Sequence, residues 1–322
     1  MGEGGGSAWA RGVGSMGSLL AGRAAMIPTQ PVFDSMLGAR LSDDGARWLR
    51  AACEELGAGV PADRMASLLS MASRRVPRGA LEPAAHEIDA AGRALGGWNP
   101  ERWTTLDAVR VRLLLSHPEV GGGAFEDALE ECFRFADAGE LVALYRALAH
   151  LPKGERFVWR AGEGCRTNMR NVFEAVACDT PYPARYLDDV AWRQLVIKAV
   201  FIEAPLWRVH DLDRRLSPEL ARMALDLADE RRSAGRPIQP ELWLCVGPHG
   251  GARGMRAMEH EISRDDPRAR RAAALALGRA GASDRLRKFA AGESDPAVQG
   301  TIESAIAGRC DQTAFAALEG RE

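Results

Sequence analysis

The chain has 322 residues, with 42 Lys and Arg against 44 Asp and Glu for a net charge of −2, and 46% of its residues are apolar. That length and apolar share suffice for a sizeable core, while the near-balanced charge gives no general attraction for nucleic acid or an anionic membrane. Val, Ile and Thr together number only 32, too few branched residues for a sheet-rich fold, whereas the abundant Leu, Ala, Arg and Glu lose little entropy in a helix.

The expected fold is therefore all-α, with antiparallel helical hairpins forming a HEAT-like, α-solenoid-type array. No apolar run approaches the roughly 18 to 20 residues that span a bilayer, so no direct membrane insertion is expected.

Residues 1–40 are expected to be a disordered, glycine-rich tail. Its apolar patch Leu19 to Ala21 is too short for a secretory h-region, and Met16 and Met26 are alternative starts. Gly12, Gly14 and Gly17 match GxGxxG with Asp34 downstream, but no strand precedes them, and the motif is set aside.

Residues 41–164 read as N-terminal helical hairpins. Leu49, Ala52, Cys53 and Leu56 recur at helical spacing, as do Met65, Leu68, Leu69 and Ala72. Two further stripes, Phe125 to Ala136 and Leu141 to Leu148, are close enough to be antiparallel neighbours. Asn99-Pro100 reads as a capped helix start, like Ser217-Pro218, Asp266-Pro267 and Asp295-Pro296 further on.

In residues 165–250 the stripes continue as Met169, Val172, Phe173 and Val176, then Trp192 to Ile202, then Leu220 to Leu227. Asp179 to Pro183, with two prolines in three residues, is expected to be an extended connector. Residues 251–322 carry an internal repeat of period 29, which places Ala269 over Val298, Ala273 over Ile302 and Ala276 over Ala305. "DPRARRAAALALGRAG" resembles a short HEAT-type repeat, so this end is expected to be a solenoid-like extension.

Cys53, Cys132, Cys165, Cys178, Cys245 and Cys310 show no CxxC spacing and are expected to be free thiols in a cytoplasmic protein. His210-Asp211 is an HD doublet without an evident third ligand and reads as a surface ion-pair cluster. His260 lacks HExxH spacing, and neither a P-loop nor a GxSxG elbow is present, so no metal site and no cofactor is expected.

The most informative stretch is a helix expected from about Thr167 to Cys178. Arg166, Arg170 and Glu174 fall at i, i+4 and i+8 there, with Asn168 and Asn171 beside them. They form either an exposed ion-pair ladder or a polar pocket wall whose guanidiniums suit carboxylate or phosphate. Lys198, inside the apolar run Leu195 to Ile202, either snorkels outward or pairs with Glu174 or Glu203. Trp192, Trp207 and Trp243, with Tyr182 and Tyr186, concentrate aromatics suited to a flat ligand.

The stretch from Arg166 to Pro248 resembles the signature region of the EboA family of metabolite traffic proteins. The matching parts are Asn-x-Arg before Val-Phe-Glu-Ala, the Pro-Tyr-Pro connector, the Trp-x-Gln-x-Val-x-Lys-Ala helix, and Pro-Glu-Leu-Trp with Val-Gly-Pro. The resemblance is strongest over about a quarter of the chain, weaker from Leu41 to Gly164, and absent in the tail.

It implies a role in handling or exporting a secondary metabolite with partners encoded in the same cluster, some membrane-associated. Family members lie beside a membrane prenyltransferase and several enzyme-like proteins, and in cyanobacteria the cluster is associated with moving a scytonemin precursor out of the cytoplasm. The resemblance adds weight to Arg166, Asn168, Arg170, Asn171, Glu174, Lys198 and Trp192 as a ligand-binding surface but carries no residue roles.

Three functions follow. The first is a non-enzymatic helical carrier or adaptor, which the lack of a reactive constellation favours. The second is an enzyme on a cyclic or prenylated product, with a buried Glu174 as acid or base and Arg170 or Lys198 on an anion. The third is a structural subunit without a ligand.

Overall fold

The computed structural model describes residues 27–319. The glycine motif, Met16 and Met26 lie outside them. Among the described residues the chain is all-α, and the extended pairing consists of one isolated antiparallel bridge between Ala80 and Thr104.

The first half comprises α1 (Gln30–Gly38), α2 (Asp43–Gly57), α3 (Ala62–Ala72), α4 (Ala85–Ala94), α5 (Thr105–Leu114), α6 (Gly123–Phe135) and α7 (Ala138–Ala147). α5 is its axis, packed against α1, α2, α3 and α7 and buried on nearly every side. Its sequence Leu-Asp-Ala-Val-Arg-Val-Arg-Leu-Leu has no polar stripe, as a helix enclosed by others requires. Thr104 starts it with a capping box in which Thr104 and Asp107 each take the other's backbone N–H.

α1 corrects the expectation of a disordered tail as far as residue 40. Phe33, Met36 and Leu37 are buried, and the Phe33 ring lies 4.9 Å from Trp98 and 5.1 Å from His150. A nine-residue helix after a glycine-rich stretch shows only one apolar turn in sequence, and the aromatic box that holds it comes from elsewhere. Enclosure in that box pushes His150 down to about 3, so its imidazole is neutral at ordinary pH.

Asn99-Pro100 does not start a helix. Asn99 accepts the Glu101 N–H in a turn, and α5 begins five residues later, because the T-x-x-D box there satisfies two donors at once.

The chain continues through α8 (Val158–Arg166), α9 (Arg170–Ala177), α10 (Tyr182–Tyr186), α11 (Asp189–Phe201), α12 (Pro218–Ser233), α13 (Leu242–Val246) and α14 (Gly251–Ile262). It closes with α15 (Pro267–Arg279), α16 (Ser283–Ala290) and α17 (Pro296–Ile306). Ser217, Asp266 and Asp295 cap α12, α15 and α17, each followed by proline in the first turn, as their sequences predict. The connector at Pro181 and Pro183 is not extended throughout: Pro183 sits in the first turn of α10, where a missing N–H costs nothing.

The 29-residue repeat corresponds to α15 and α17, joined through α16. Ala269, Ala273, Ala276, Val298, Ile302 and Ala305 are all buried. The seam closes tightly at Gly278, where an added Cβ would lie 2.9 Å from the Ala305 Cβ.

The buried apolar residues fall into two clusters, one running from Ile27 to Tyr182 and the other from Phe173 to Leu318. α9 feeds both, giving Val172 and Val176 to the first and Phe173 and Ala177 to the second. Cys178, which ends α9, is buried with its thiol directed to the Pro205 carbonyl at 3.8 Å. The six cysteines are free, and burial raises their thiol pKa values.

Candidate functional site: two clefts flanking the first turn of α9

The helix expected from about Thr167 to Cys178 is present as α9 but begins three residues later, at Arg170. Thr167 is extended and its hydroxyl accepts the Met169 N–H at 3.1 Å, a local turn that Thr favours over helix. Arg166 therefore ends α8, exposed and paired with Glu163 on its own helix. Asn168 is exposed in the link, and Met169, expected on the apolar stripe, is 43% exposed. The ladder of three reduces to Arg170 and Glu174, one turn apart on α9 and joined at 2.8 Å.

Asn171 and Glu174 line a first cleft of about 660 Å³ between α9, α7 and the start of α5. Its other polar walls are arginines from distant segments: Arg78, Arg102, Arg110 and Arg146. Arg110 is almost fully buried, donating to the Leu69 carbonyl at 3.1 Å and to Glu140 at 3.4 Å. Arg146 donates to Asp107 at 2.6 Å and to the Arg102 carbonyl at 3.1 Å, with its guanidinium 5.0 Å from the Trp103 ring centre. Burial lowers the pKa of both guanidiniums, against the pull of the neighbouring acids.

Against these four arginines the cleft sets three acids, each already engaged. Asp107 holds Arg146 and its own helix start, Asp137 caps α7 through the Glu140 N–H, and Glu174 takes Arg170 and Arg208. Arg78 stands exposed at the mouth with no ion-pair partner among the described residues. The lining thus carries one net positive charge, beside apolar surface from Leu106 and Val142.

Beneath Glu174 lies Arg208, 6% exposed, which donates to Glu174 at 3.1 Å and through both Nε and Nη2 to Asp179. Burial works against its charge, but the Asp179 bond and the surrounding carboxylates outweigh that and raise its pKa. Asp179 has a φ of 57°, and its backbone reaches Asn99 and Arg208.

Arg170 lines a second cleft of about 600 Å³ with Val200, Glu203, Glu241, Arg268 and Glu319. Burial pushes the Glu241 carboxyl up to about 7, although the Leu206 N–H that it accepts favours the anion. Glu203 accepts from Gln239 at 2.5 Å.

Lys198 lines neither cleft and pairs with neither Glu174 nor Glu203. Its ammonium sits 5.9 Å from the Phe173 ring centre, and burial lowers its pKa. Trp192 is buried in the second core, with Arg215 over its ring at 4.5 Å. His210 lies 3.6 Å from Asp211, but burial lowers its pKa, so the ion pair there is Arg214 with Asp211 at 3.7 Å. Among the described residues no group of three His, Cys, Asp or Glu side chains could hold a metal ion, and no helix is long and apolar enough to cross a membrane.

Of the expected surface, then, Arg170, Asn171 and Glu174 are brought together. The arginines that complete it were not singled out in sequence. One of them left a trace, since Arg110 interrupts the apolar run of α5, and so did its neighbour Asp107, which completes a capping box.

A family model described as metabolite traffic protein EboA matches residues 29–247. No match was found among curated proteins or solved structures.

Proposed function

The chain belongs to the EboA family of metabolite traffic proteins, and from that premise we propose that it is a non-enzymatic carrier that holds an anionic secondary metabolite in the first cleft. It does so in the cytoplasm, on a handling or export route shared with cluster-encoded partners, some of them membrane-associated. The observation that carries this reading is the unpaired Arg78 at the mouth of a cleft whose other charges are already matched. One net positive charge suits a carboxylate or other monoanion better than a diphosphate, whose further charges would find no uncommitted cation. Leu106 and Val142 offer the apolar part of a ligand a place to lie.

Engagement of every acid in this cleft favours recognition over proton transfer. Glu174, with two guanidiniums on it, is not a free base. The observation that favours an enzyme instead is Glu241 in the second cleft, a half-buried carboxyl near neutrality.

The test is native mass spectrometry with small-molecule extraction on protein purified from its own host. The carrier predicts a stoichiometric monoanionic compound that is lost in Arg78→Ala. An enzyme predicts turnover of host extract that disappears in Glu241→Gln, and an empty protein retaining only protein partners would point to a structural subunit.

A further inference from the structure

The two clefts share α9's first turn as a wall, and the wall is completed by side chains. Two ion pairs span it, each with one member in each cleft. Arg170 of the second cleft meets Glu174 of the first at 2.8 Å, and Glu319 of the second meets Arg102 of the first at 3.4 Å. Arg170 is 58% exposed, and Arg102 and Glu319 are about equally open to solvent. Ion pairs this exposed add little stability and part readily.

The clefts also differ in charge. Four arginines oppose three acids in the first, whereas Arg170 and Arg268 oppose Glu203, Glu241 and Glu319 in the second. One end is therefore net positive, and the other passes from neutral to net negative as Glu241 ionises. Leu106 and Val142 at one end and Val200, Ala204 and Pro205 at the other supply apolar surface, and Arg102 itself lies 5.4 Å over the Trp207 ring.

We propose that the two clefts are the ends of one elongated binding trough, crossed by the Arg170–Glu174 and Arg102–Glu319 pairs, and that it takes an extended zwitterion. The anionic group lies in the arginine-rich cleft and the ammonium group in the acidic one. This deepens the carrier reading and rests on it, because it presumes that the first cleft binds an anion.

Charge balance selects that ligand class. A carboxylate held by Arg78 that also reaches Arg102 displaces Glu319, and an ammonium at the far end takes the displaced Glu319, so every broken ion pair is replaced. A dianion would leave Glu319 beside Glu203 and Glu241 with Arg268 as the one cation for all three to share, and a diamine would strand Arg102 without its carboxylate. Uncompensated charge of this kind is what discriminates against the wrong ligand.

The experiment is isothermal titration calorimetry of the full chain with 6-aminohexanoate, 8-aminooctanoate and 12-aminododecanoate, against octanoate, suberate and 1,8-diaminooctane. The expected result is that one ω-amino acid binds at least about tenfold more tightly than octanoate, suberate or the diamine, with affinity depending on chain length. Glu319→Gln, at an exposed position, should abolish the preference over octanoate by tightening octanoate binding, because Arg102 no longer has to part from a carboxylate. Equal binding of octanoate and 8-aminooctanoate, or a preference that survives Glu319→Gln, would overturn the trough and leave the anion cleft standing. Failure of every carboxylate to bind at millimolar concentration would overturn both.

Discussion

Arg208 and Glu174 meet at 3.1 Å across 34 residues of chain, and the same guanidinium grips Asp179 just past the end of α9. One buried cation thus ties the middle of the helix that separates the two clefts to the turn just past its C-terminal end. Arg208→Ala would leave Glu174 and Asp179 with less compensation in a poorly solvated place, at a cost of about 3 kcal/mol or more. Urea denaturation should show it as a lowered midpoint. Arg208→Lys should recover only part of the loss, since an ammonium cannot reproduce the two-nitrogen contact with Asp179.

Arg170→Ala should behave differently. Its pair with Glu174 is an i,i+4 contact at an exposed site, worth a few tenths of a kcal/mol. Stability by the same urea assay should change by less than about 0.5 kcal/mol, which makes this variant suitable for binding studies.

Stability should also respond to pH through Glu241. Its carboxyl stands near 7 in the folded chain against an ordinary value of 4.5. The folded state therefore binds this proton more tightly than the unfolded state does. The resulting stabilisation is fully present below the unfolded value and is lost as pH rises through about 7. Glu241→Gln keeps a carbonyl acceptor for Leu206 without the titration. Relative to the parent, it should gain about 1–2 kcal/mol between pH 5 and pH 8, after allowance for partial solvent contact. Paired melting curves at the two pH values measure it, with the difference in Tm expected to grow by a few degrees.

Gly278→Ala would be a mild gain in an isolated helix. Here the new methyl group would lie 2.9 Å from the Ala305 Cβ and 3.1 Å from the Ala305 carbonyl oxygen, so α15 and α17 must separate. A loss of about 1–3 kcal/mol is expected in thermal melts.

Phe33→Ala tests whether α1 belongs to the core. Phe33 is fully buried against Trp98, Trp103 and His150, and its truncation should cost about 3–5 kcal/mol. A change below about 0.5 kcal/mol, the range of ordinary surface substitutions, would mean that α1 contributes little.

What could be read from the sequence was what neighbours in sequence decide. Ser217-Pro218 and Asp295-Pro296 announced their helices because a cap and a first-turn proline act within four residues. The stripe Met65, Leu68, Leu69 and Ala72 is buried as its spacing predicts. Thr167 departs from the expected helix because its hydroxyl closes a turn that competes with it, which separates Arg166 from Arg170. Pro183 departs from the expected extended connector because, in sequence, a proline tolerated only in a first turn resembles one that forbids helix altogether. The arginines of the first cleft escaped notice for another reason: Arg78, Arg110 and Arg146 lie on separate segments, and packing around α5 decides which guanidiniums share a space.

The placement of Cys178 has a use beyond packing. Its thiol is enclosed where α9 passes from one core to the other, and burial keeps it protonated, so alkylating reagents meet a sulfur that is both hidden and unreactive. The rate at which iodoacetamide labels Cys178, in a chain whose other five cysteines are replaced, becomes a clock for the separation of the two cores. A ligand that spans both clefts should slow that clock.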